Sequence, residues 1–115
     1  MINLCVSYGN EETQEWETIL DVPLIPYAEL YPNEEKVRDS YGINDHPLVL
    51  PNGEELKISV SFDPTSLGIS YAVQSEGKNL LSVFGHKQNI NDFEPSAGIL
   101  TPGGVDISIM IGKTT

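Results

Sequence analysis

The chain has 115 residues, with 17 aspartates and glutamates against six lysines and arginines and a formal charge of −11. That is the length of one domain, and the 39% hydrophobic content argues against wholesale disorder. A single cysteine, Cys5, excludes an internal disulfide framework. Nucleic acid and anionic lipid both require clustered cations to displace counterions; the six here are scattered, so neither is expected as a direct partner.

The pattern along the chain favours strands. Ile2, Leu4, Val6 and Tyr8 alternate with polar residues and predict an N-terminal strand, without the basic and apolar regions of a signal peptide. Glu11–Val22 admits two readings. One is a short helix with Trp16, Ile19 and Leu20 on one face. The other is a strand over Glu15–Val22 with Trp16, Thr18, Leu20 and Val22 inward and Glu15, Glu17 and Asp21 outward. The β-branched residues and the following Pro23 favour the strand. Leu24–Pro32, with its prolines, reads as extended connection. Asn33–Gly42 predicts a helix of about two turns, with Asn33 as cap, Glu34 and Glu35 at the positive end of the dipole and Gly42 closing it.

Further on, Pro51-Asn52-Gly53-Glu54 is a hairpin turn joining Leu48–Leu50 to the cleanly alternating Leu56–Phe62, because Asn-Gly tolerates positive φ. Ser75–Lys78 likewise joins Ile69–Val73 to Leu80–Phe84. Val105–Ile111 alternates again, with Val105, Ile107, Ile109 and Ile111 on one side. Together these predict a mainly β, single-domain antiparallel sandwich or small barrel spanning 1–115, of about six or seven strands, with one short helix near residues 33–41. No apolar run reaches the roughly 20 residues that span a bilayer, so a cytoplasmic protein is expected.

The charge is lopsided. Residues 1–56 hold twelve acids and only Lys36 and Arg38, a sum of −10, whereas residues 57–115 sum to −1. Chemistry-bearing motifs are missing. Gly103-Gly104 leads into a strand rather than a phosphate-binding helix, and Gly68-Ile69-Ser70 lacks the second glycine of a nucleophile elbow. Cys5, His46 and His86 lack metal-ligand spacing, and both histidines read as loop or strand-end residues. Cys5 has no nearby cation to activate it. Asn89–Glu94 resembles a calcium loop only briefly, since Glu94 and Leu100 stand where Gly and Glu are required. No cofactor, metal or catalytic residue is therefore assigned, and a non-enzymatic role is expected.

What remains is recognition. Dense carboxylates steer cationic partners, and aromatics among them supply anchoring area. The expected contact residues are Glu11, Glu12, Glu15, Glu17, Asp21, Glu34, Glu35, Asp39, Glu54 and Glu55, with Trp16, Tyr31 and Tyr41 as anchors and a basic protein as partner. In size and acidity, though in no motif, the chain resembles immunity proteins against nuclease toxins and phage-encoded inhibitors of nucleic-acid enzymes. Two alternatives stay open. One is a structural or assembly β-domain of a phage or particle, with Val105–Ile111 as a candidate edge, its other reading being a buried interior strand. The other is a metal-dependent or acid–base enzyme.

Overall fold

The computed structural model describes residues 2–30, 32, 40–86 and 97–113. Among them are nine strands: β1 (Ile2–Asn10), β2 (Glu15–Pro23), β3 (Ile25–Pro26), β4 (Tyr41–Val49), β5 (Glu55–Asp63), β6 (Gly68–Ser75), β7 (Lys78–His86), β8 (Ala97–Leu100) and β9 (Asp106–Lys113). One four-residue helix, α1 (Tyr27–Leu30), joins them. The strands form two antiparallel sheets of order β2-β1-β9-β8 and β3-β4-β5-β6-β7, neither closed into a barrel. The mainly β antiparallel class is as expected, with more strands than the pattern suggested.

Alternation explains the core. Leu56, Ile58, Val60 and Phe62 of β5 and Ile107, Ile109 and Ile111 of β9 are all buried, as are Leu4 and Val6 of β1 and Ile69, Tyr71 and Val73 of β6. Residues from both sheets belong to one apolar cluster, consistent with a β-sandwich. Each such aliphatic side chain stabilises the fold by roughly 1.5–3 kcal/mol. Tyr71 adds a tie between the sheets: burial pushes its hydroxyl up to about 12, partly opposed by a hydrogen bond with the Ile111 backbone.

Several details depart from the sequence reading, each for a local reason. β9 lies between β1 and β8, so Val105–Ile111 is an interior strand, and among the described residues the edges are β2, β8, β3 and β7. Leu24–Pro32 is not wholly extended. Pro26 supplies a helix-compatible φ immediately before Tyr27–Leu30, and Pro32 stands just beyond. Of the helix expected near 33–41, residues 33–39 lie outside the described residues, while Tyr41 and Gly42 open β4 instead. Gly42 is needed there because a Cβ would come within 2.8 Å of the Val60 carbonyl oxygen.

β4 is also much longer than Leu48–Leu50. A bulge at Asn44-Asp45, with Asp45 at φ +48° and its amide donating to Ser59 Oγ, breaks the alternation that would have marked the strand. It brings His46 opposite Ile58, on the face shared with Ile43 and Leu48. His46 is thus a half-buried strand residue with Nδ1 2.9 Å from the Pro47 carbonyl oxygen, not a surface-loop histidine.

The most consequential irregularity is in β2. Val6 pairs with Leu20 but Ser7 pairs with Thr18, so Ile19 is an extra residue. Leu20 and Val22 turn inward and Asp21 outward, as expected. Past the bulge the phase inverts. Glu15 and Glu17 share the face of Asn10 and Tyr8, and Trp16 shares the opposite face with Gly9. Trp16 is 59% exposed, with its ring over Gly9, where a Cβ would meet it at 3.8 Å.

Candidate functional site

Antiparallel hairpins set where the acids end up. The turns β1–β2, β4–β5, β6–β7 and β8–β9 all fall at one end of the molecule. There, residues 11–12, 51–52 and 104–106 line one open cleft of about 430 Å³. Residues 53–57, 74–78 and Pro102 line its neighbour of about 760 Å³. Loops held by a rigid sheet scaffold are a common seat of recognition.

Tight turns build this end. Gly53 takes φ +92° in the Asn-Gly turn, and Glu76-Gly77 take +51° and +79°, the paired positive values of a two-residue type I′ hairpin. Asn10 Oδ1 accepts from the Glu12 and Thr13 amides and steadies the first turn. The β4–β5 and β8–β9 turns are joined by one carboxylate. Glu54 accepts from Asn52 Nδ2 at 2.6 Å, from Thr101 Oγ1 at 2.6 Å and from the Gly103 amide at 3.1 Å. These donors, Asn52 foremost, hold its carboxyl below the ordinary carboxylate range, with partial burial opposing.

The expected contact residues separate into groups. Glu11, Glu12, Glu15, Trp16, Glu17 and Glu55 are exposed at or next to this end. Glu54 belongs there too, but as the joint between two turns. Asp21 lies farther along β2, its Oδ1 accepting from Asn3 at 2.7 Å. Tyr41 is half-buried against the core and pairs with Pro26 and Phe62, so it is a packing residue rather than an exposed anchor. Tyr31, Glu34, Glu35 and Asp39 lie outside the described residues, as do Asn89–Glu94.

Two acids that the sequence reading passed over join the group: Glu76 at the β6–β7 turn and Asp106 at the start of β9. The signal for both was available, since consecutive antiparallel hairpins return alternate turns to the same end. Among the described residues, Lys57 and Lys78 are the cations there. Glu17 is held in place, accepting from Tyr8 Oη at 2.5 Å and Asn10 Nδ2 at 3.2 Å. That bond to Glu17, with some burial, raises the Tyr8 hydroxyl above its usual pKa.

Among the described residues no three His, Cys, Asp or Glu side chains converge as metal ligands, and no helix is long and apolar enough to cross a membrane. Cys5 sits half-buried on the outer face of β1 opposite Asp21 and Met110. No family model, curated protein or solved structure matches the chain.

Proposed function

We propose that this is a small acidic binding protein whose hairpin end and adjoining β2 edge cover a basic surface of a partner protein, in the manner of an immunity protein or an inhibitor of a nucleic-acid enzyme. The observation that carries the reading is the gathering of carboxylates from both halves of the chain. Glu11 and Glu12 from the first hairpin, with Glu15 next along β2, share this end with Glu54, Glu55, Glu76 and Asp106 from three others, and Lys57 and Lys78 are the nearby cations among the described residues. A field of one sign on a rigid scaffold speeds encounter with an oppositely charged surface. Trp16, exposed beside it, supplies the kind of aromatic area that anchors interfaces.

Capture of partners from the source lysate, followed by titration at increasing salt, tests this. The expected result is a basic protein whose affinity falls by roughly tenfold or more between low and physiological ionic strength. The triple variant Glu11→Gln, Glu12→Gln, Glu15→Gln should flatten that dependence. Recovery of no basic protein, or a complex indifferent to salt, would remove the reading.

An assembly role is the second reading, and its support is β7 rather than Val105–Ile111. That edge strand carries no acid from Lys78 to His86, and Phe84 on it is 72% exposed. Light scattering across concentration decides it: a discrete oligomer favours assembly, and a persistent monomer counts against it.

A further inference from the structure

The β2 strand offers more than charge. Among the described residues it has a neighbour, β1, on one side only, and residues 15–18 are exposed. An edge of this kind presents a row of backbone N–H and C=O groups to any strand that can approach. Natural edges are commonly blunted with charge, often lysine. Here the charge is entirely negative, and the first 35 residues contain no lysine or arginine at all. A second copy of β2 is therefore repelled, since like charges facing across a strand pair are destabilising. A strand bearing cations is drawn in.

We infer that β2 receives an extended, cationic segment of the partner polypeptide as an added strand along Glu15–Thr18, an inference that rests on the acidic-binding reading above. The geometry gives that segment two different faces. On one, Glu15 and Glu17 lie two residues apart, and the Glu17 carboxylate is already fixed by Tyr8 and Asn10. Alternate lysines or arginines of an added strand meet this pair directly. On the other face lie Thr18 and the Trp16 ring, which rests on Gly9 and leaves its opposite surface to solvent. A guanidinium or aliphatic side chain packs there, with cation–π attraction in the first case. The bulge at Ile19 ends the in-phase stretch, so backbone pairing covers a short run and supplements the charge attraction. This is strand addition with specificity from alternate side chains.

The test uses the full chain, labelled with nitrogen-15, and two probes of equal charge. One is a short peptide of alternating lysine and valine; the other is the same peptide N-methylated at every residue, which cannot donate backbone hydrogen bonds. At low salt the first should bind with its largest amide shifts at Glu15–Thr18, and those amides should gain protection from hydrogen exchange. The second should bind about tenfold more weakly, the loss expected from removing one or two net hydrogen bonds. Equal binding of both peptides, or shifts centred on Glu54, Glu76 and Asp106, would overturn strand addition while leaving the acidic surface standing. Binding of neither would overturn both. No substitution is needed, so loss of folding cannot mimic either result.

Discussion

Among the described strands the two long edges, β2 and β7, are each nine residues long, with residues 15–23 and 78–85 exposed or half-buried, yet they are built to opposite ends. β2 carries Glu15, Glu17 and Asp21 and a bulge. β7 carries no acid and presents Phe84 on its outer face and Val83 toward the other sheet. Both strands place leucines on the core, Leu20 opposite Val6 and Leu81 opposite Val73. The contrast teaches that packing and surface chemistry are separable here. The inward residues of an edge hold it to its sheet, and the outward ones decide what is allowed to approach.

The largest effects should come from beneath both edges. Ile58→Ala and Ile109→Ala remove fully buried side chains from interior strands and should each cost about 2–5 kcal/mol in denaturant unfolding. If either is nearly neutral, the shared core on which the comparison rests is wrong.

The pH limits come next, because neither group belongs to an edge. Tyr71 has its pKa raised to about 12 by burial. Its contribution is intact below the unfolded value of 10 and is lost as pH rises toward 12, so Tyr71→Phe should flatten the alkaline limb of a stability profile. Glu54 has its pKa lowered, so its contribution is present above the ordinary carboxyl value and is lost as pH falls through the folded one. Glu54→Gln should flatten the acid limb. An alkaline limb that does not move would show that Tyr71 is not buried, and an acid limb that does not move would show that the Glu54 tie between the two turns is not formed.

Smaller still are the edges themselves. Leu20→Ala and Leu81→Ala should each cost about 1 kcal/mol, and nearly the same amount, because both side chains are half-buried. A large inequality would mean that the edges differ in packing as well as charge. Phe84→Lys should change stability by less than about 0.5 kcal/mol while raising the concentration at which light scattering detects association.

The sequence revealed those parts of the fold that obey a simple period. Leu56–Phe62, Val105–Ile111 and Ile2–Tyr8 were legible because burial on one face writes itself as alternation. The turns at Asn52-Gly53 and Glu76-Gly77 were legible from chain stereochemistry. What escaped is whatever breaks the period. Asp45 hid most of β4, and Ile19 inverted the faces of residues 15–18. α1 is too short to show a helical repeat. Strand order is a matter of pairing across the sheet, which no local pattern records, and so β9 could be mistaken for an edge. For the candidate site, the acidity of the first half was plain. Its meeting with Glu76 and Asp106 required the parity of successive hairpins.

The extra residue at position 19 has a meaning for how this surface can change. It works as a phase shifter one residue long: deleting it would leave the pairing of residues 15–18 as it is, whereas drawing it into the ladder opposite Ser7 would exchange their two sides, carrying Trp16 to the side of Tyr8 and Asn10 and Glu17 to the side of Gly9. The edge could thus present a different chemistry to its surroundings through a change in register alone, with every side chain in the strand kept.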